Sequence, residues 1–138
     1  MKFLTLTGRT VNKTFFKNRI DYDKKSRSNY QFKLKNFLKP YIKHHVVFEE
    51  MPVVGTRMSI DICDITSKIA YEMQGEAHSG FLPFFHKSRS DFLGQIKRDL
   101  QKEEWCRINK FTYIEIFPSD LEHLSRQWFI DKYDIDIV

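Results

Sequence analysis

RMSIDICDITSKIAYEMQGEAH, residues 57–78, is the stretch that decides how the chain folds. Met58, Ile60 and Ile62 alternate with Ser59, Asp61 and Cys63, the period-two pattern of a half-buried strand. Thr66 and Ser67 turn the chain. From Lys68 to Gln74 the alternation resumes, with Ile69, Tyr71 and Met73 on one face and Ala70, Glu72 and Gln74 on the other. Two such runs joined by a tight turn predict an antiparallel hairpin. Asp61 then stands on the polar face of one strand and Glu72 and Gln74 on the polar face of the next, within reach across the ladder. Gly75 and His78 follow directly.

The flanking sequence supplies the other elements. VVFEE, residues 46–50, reads as a strand, closed by the turn residues Pro52 and Gly55. Glu49 and Glu50 alternate in side, so Glu50 alone is expected to join Asp61 and Glu72. Upstream, Ser28 with Gln31 forms a capping box, and Tyr30, Leu34, Phe37, Leu38 and Tyr41 recur on one helical face. Pro40 predicts an end near Lys39. Downstream lies a loop over residues 75–87. Ser88 is placed to cap a helix running to about Glu104, with Phe92, Ile96 and Leu100 as its apolar stripe. FTYIEIF, residues 111–117, is a further strand. Ser119 with Glu122 predicts the start of a last helix carrying Leu121, Leu124 and Trp128. The order is helix, three strands, helix, strand, helix, an α/β arrangement with a central mixed sheet of about four strands flanked by helices.

At 138 residues and 41% hydrophobic content, one domain with one core is expected. The boundaries read as a basic N-terminal arm or hairpin over residues 1–27 and a domain over residues 28–138. Residues 1–45 hold twelve Lys/Arg against two Asp, and residues 46–138 hold eleven Lys/Arg against sixteen Asp/Glu, so a basic segment feeds an acidic one. That asymmetry suits a polyanion partner together with a divalent cation. Lys13, Lys17, Arg19, Lys24, Lys25 and Arg27, interleaved with Phe15, Phe16 and Tyr22, are the candidate backbone contacts of the arm. The same aromatics also suit a flap packed on the core. The two cysteines, Cys63 and Cys106, lack metal-ligand spacing and read as free thiols of a reduced compartment. The opening MKFLTLTGRT has no signal-peptide pattern, and no apolar run is long enough to span a membrane, so a cytoplasmic location is expected.

Gathered carboxylates repel one another and hold protons unless a cation joins them. Asp61, Glu72 and Glu50 supply oxygen ligands for a hard ion such as Mg²⁺, with Mn²⁺ as a substitute. Such a site activates water and stabilises the transition state of phosphodiester hydrolysis.

In these residues the chain resembles the PD-(D/E)XK nucleases. Ile60-Asp61 is followed eleven residues later by Glu72-Met73-Gln74, with Gly75-Glu76-Ala77-His78 behind. A helix motif, Arg98-Asp99-Leu100-Gln101-Lys102 to Cys106, precedes the strand from Phe111. Within that superfamily the likeness is closest to very-short-patch-repair-like nucleases and to phage homing endonucleases of the EDxHD type. It covers roughly residues 28–117. The resemblance implies a restriction-endonuclease-like core and a Mg²⁺-dependent DNA endonuclease, of homing or nicking type, leaving 5′-phosphate and 3′-hydroxyl ends. Gln74 occupies the family's lysine position, and His78 matches its catalytic histidine, a candidate general base. Phe84 and Phe85 are placed either to wedge between base pairs, as in related repair nucleases, or to cover the core beneath the loop, with Lys87, Arg89 and Lys102 on phosphate. Cutting both strands would favour a homodimer. The alternatives are a DNA-binding or assembly module on the same fold that has lost catalysis, which Gln74 keeps open, and a protein that binds or cleaves RNA.

Overall fold

The computed structural model describes residues 1–75 and 89–138. Its elements are β1 (Lys2–Leu4), β2 (Thr10–Asn12), α1 (Asn29–Ile42), β3 (Val47–Pro52), β4 (Ser59–Asp64), β5 (Ile69–Met73), α2 (Arg89–Ile108), β6 (Thr112–Ile116) and α3 (Arg126–Tyr133). Short 3-10 turns lie at Phe16–Asn18 and Pro118–His123. The main sheet has four strands in the order β3-β4-β5-β6. The β3–β4 and β4–β5 pairs are antiparallel, and β5–β6 is parallel, joined through α2. The result is an α/β fold on a mixed sheet, in the expected order.

Both faces of the sheet are covered. On one, Ile62, Ile69, Tyr71, Ile114 and Ile116 meet Leu34, Leu38 and Ile42 of α1 and Phe129 of α3. On the other, Phe48, Cys63 and Ala70 meet Trp105 and Cys106 of α2 with Phe3 and Phe15 of the N-terminal segment. Phe3 and Phe111 both stack on Trp105, with ring centroids 5.7 and 5.9 Å from it. Residues 1–27 thus share this core: β1 and β2 form a hairpin, Leu4 N donates to Asn109 Oδ1 at 2.7 Å, and Ile20 N donates to Val47 O at 3.1 Å.

Three local expectations need correction. Pro40 does not end α1, which runs on to Ile42. Asn36 and Pro40 both lie on the exposed face, so water can serve the carbonyl that the proline ring deprives of an amide. The last helix begins at Ser125, not Ser119. Leu124 is extended and breaks the chain there, and Ser125 Oγ accepts from Trp128 N at 3.0 Å. The stripe Phe92, Ile96, Leu100 is not core: Ile96 and Leu100 are 40% and 60% exposed. α2 turns a polar face to the sheet for most of its length, and only Trp105 and Cys106 near its end are buried. The Ser88 cap lies outside the described residues.

Candidate functional site

The β4–β5 ladder runs from Asp64↔Ile69 to Ile62↔Tyr71 and stops one residue short of Asp61 and Glu72. There the two side chains take over the backbone's bonds. Asp61 Oδ2 accepts from Met73 N at 2.9 Å, and Glu72 Oε2 accepts from Asp61 N at 3.2 Å. The carboxyl groups are therefore fixed against each other's strand, both nearly fully buried. On the β3 side, the register Glu49↔Ile62 and Met51↔Ile60 sets Glu50 opposite Asp61. On the β6 side, Glu72 pairs with Glu115. One row across the sheet thus carries four acids, Glu50, Asp61, Glu72 and Glu115.

Glu115 was not singled out in the sequence. Its signal is the alternation of Tyr113 and Glu115 against Ile114 and Ile116, with the two isoleucines buried in the α1 face.

Glu49 and Glu50 do not diverge as strict alternation predicts. Glu50 has φ of 54°, so its side chain leaves the strand's period. Gln31 Nε2 donates to Glu49 Oε2 and to Glu50 Oε1, each at 2.9 Å. Gln31 N is itself the cap donor to Ser28 Oγ at 3.1 Å, so the residue both caps α1 and bridges the two acids. Lys35 Nζ, fully buried, donates to Glu49 Oε1 and to the carbonyls of Asp21 and Lys24. Glu50 Oε2 reaches Ser59 Oγ at 3.3 Å and Arg27 Nη1 at 3.5 Å.

α2 closes the row from above. Gln95, Arg98, Asp99 and Lys102, spaced as one helical face, line a cavity of about 160 Å³ with Arg27, Asp61, Glu72, Met73 and Gln74. Lys102 Nζ donates to Glu72 Oε1, and Arg27 Nη2 to Asp61 Oδ1 at 3.2 Å. Gln74 is buried; its backbone N donates to Ile116 O at 2.8 Å, while its Nε2 has no partner among the described residues. A larger groove of about 620 Å³ lies between the start of α1 and the turn after β6. Its described lining holds one acid, Glu122, so chemistry rather than size selects the smaller cavity.

Burial and the neighbouring Glu72 carboxylate push Asp61 up to about 7, against an ordinary 3.8. Burial raises Glu72 as well, and the Lys102 ammonium pulls it back. A pair so arranged carries more negative charge than its setting stabilises. Among the described residues no group of three or more His, Cys, Asp or Glu is arranged to hold a metal. Two carboxylates, however, suffice for Mg²⁺, which keeps most of its waters and takes substrate oxygens. The raised Asp61 fits a cationic occupant; Gln74 Nε2, without a partner among the described residues, is an N–H donor suited to the oxygens around such an ion and not to the ion itself. The cysteines do not enter this chemistry: Cys63 and Cys106 are free and buried, and burial lifts both thiols, Cys106 to about 12.

Of the other expected contacts, Arg27 and Lys102 converge on the cavity. Lys24 and Lys25 lie in the turn whose carbonyls hold Lys35, and Arg19 bridges to Phe48 of β3. Lys13 N is bonded to Met1 O beside the β1–β2 hairpin, and Lys17 lies in the 3-10 turn. Arg89 opens α2, away from the cavity lining. His78, Phe84, Phe85 and Lys87 lie outside the described residues.

Two curated sequences are similar to this chain. Uncharacterized protein 033L of Invertebrate iridescent virus 3 is 30% identical over 80 residues, 58% of this chain and 41% of the relative. Uncharacterized protein 307L of Invertebrate iridescent virus 6 is 32% identical over 82 residues, 56% of this chain and 42% of the relative. The chain spans about two fifths of the length of these curated relatives. No family model matches the chain, and no solved structure matches it. No described helix is long and apolar enough to cross a membrane.

Proposed function

We propose that the chain is a Mg²⁺-dependent DNA endonuclease on a restriction-endonuclease-like core. The observation that carries this reading is the buried pair Asp61 and Glu72, set across β4 and β5 on one small cavity with Gln74 and Lys102. Asp61 and Glu72 would hold the ion, with Glu50 beside them. When bound, Mg²⁺ supplies a water nucleophile and charge stabilisation at the phosphate. Gln74 Nε2 donates to that water or to a phosphate oxygen. It cannot supply a positive charge, and Lys102 brings the missing ammonium from α2 into the same cavity. Arg27 binds a neighbouring phosphate, and His78 is the candidate base. The homing or nicking type rests on the resemblance in the sequence; the uncharacterized iridescent-virus relatives fit only a virus-encoded origin.

The test is conversion of supercoiled plasmid to nicked or linear DNA in Mg²⁺ or Mn²⁺, stopped by chelator. Asp61→Ala and Glu72→Ala should each lose it; nicking undiminished in both would end the proposal.

A specific feature favours a second reading, a DNA-binding module without catalysis. Arg27 and Lys102 already pair with Asp61, Glu50 and Glu72 from within the chain, as structural ion pairs would. That reading gives plasmid retardation with no Mg²⁺-dependent nicking. Competition between duplex DNA and RNA at fixed salt separates either from an RNA-directed protein.

A further inference from the structure

Leu93, Ile96 and Leu100 form an exposed stripe on α2, at 53%, 40% and 60% exposure, on the side of the helix away from the cavity. Their spacing of three and four residues is that of a helix–helix seam. The same line continues to Arg89 at the start of the helix and to Glu103 near its end, both exposed. The apolar middle thus has a basic end at Arg89 and an opposite end where Glu103 and Glu104 outnumber Arg107. We propose that this face of α2 docks a second copy of the chain, with the two α2 helices antiparallel about a twofold axis at Ile96.

That arrangement is self-complementary. Leu93 of each copy meets Leu100 of the other, and Arg89 of each meets Glu103, with Glu104 beside it. A parallel pairing would instead set Arg89 against Arg89 and Glu103 against Glu103. Glu104 is held only by an exposed i, i+3 pair with Arg107, which solvent screening leaves weak and open to exchange. Beside Leu100 lies a groove of about 440 Å³ lined also by Phe111 and Tyr113, open to a side chain from the second copy. A helix of 20 residues is about 30 Å long. Such a helix with its groove reaches the lower end of stable interface areas, roughly 1,000 Å² in all. An interface of that size belongs with weak, transient associations. The seam faces away from the acid row, so docking leaves the cavity unobstructed, and the inference does not depend on the nuclease reading.

Sedimentation of the full chain over a concentration series tests it, with circular dichroism to verify folding of these exposed-site variants. The wild type should pass from monomer to dimer as concentration rises, and Leu93→Glu with Leu100→Glu should raise Kd about tenfold or more. Arg89→Glu should weaken the dimer, and adding Glu103→Arg and Glu104→Arg should restore it at low salt. A wild type that stays monomeric to about 100 µM overturns the proposal. So does a dimer untouched by the leucine changes, or an Arg89→Glu defect that the reciprocal charges fail to repair.

Discussion

Asp61 has a cost that its chemistry explains. Its carboxyl stays protonated in the fold up to about pH 7, against 3.8 for an ordinary aspartate. Between those values the folded state binds more protons than the unfolded chain, so stability falls as pH rises. This contribution is complete below about pH 4 and lost once pH passes about 7. Asp61→Asn removes the titration while leaving an oxygen for Met73 N. It should raise metal-free stability at pH 8 by about 1–3 kcal/mol, seen as a higher Tm, while abolishing cleavage. The gain over wild type should shrink at pH 5. If Mg²⁺ binds as proposed, protons compete with it for the same oxygens, and cleavage and Mn²⁺ affinity should both decline as pH drops below about 7. Lys102→Met should lower cleavage about a hundredfold. Gln74→Lys added to it should recover part of that loss if the missing ingredient is a positive charge in the cavity, measurable as nicking rate at saturating Mg²⁺.

The elements divide by how much of their geometry is local. β4 and β5 were legible because each is held by a strict alternation, and Asp61 and Glu72 followed from it. The reach of Glu50 was legible as a position but not as a direction, because φ of 54° within a strand has no local signature. The spacing of Phe92, Ile96 and Leu100 gives α2 an apolar stripe, of which Ile96 and Leu100 stand exposed. The helix instead presents Gln95, Arg98, Asp99 and Lys102 to a polar cavity, and a periodicity rule cannot know that what lies beneath a helix is charged. Ser119 and Ser125 both have capping chemistry, so the sequence offers two starts for the last helix. Only Pro118 and the extended Leu124 separate a 3-10 turn from the true start. Ser125→Ala should therefore cost about 1 kcal/mol in denaturant unfolding, and Ser119→Ala close to nothing.

For the molecule as a whole, the sequence suggests an α/β sheet and leaves its first residues open between a free arm and a flap on the core; Phe15 packs into the core and Phe16 stays exposed. Phe3, Phe15, Trp105 and Phe111 are far apart in the chain, and only the folded topology stacks them. Phe3→Ala should cost about 3–4 kcal/mol, measured by urea unfolding, despite its place two residues from the N-terminus of this chain. Lys35 has a broader effect. Its ammonium, gripped by the Asp21 and Lys24 carbonyls and by Glu49, nails residues 21–24 to the helix and strand beneath. Lysines and arginines on a loose tail would have to surrender their wandering each time a strand of nucleic acid arrived. Mounted on this peg, the backbone of Lys24, Lys25 and Arg27 is fixed in advance, so under the nuclease reading proposed above a phosphate would bind there without that entropic toll.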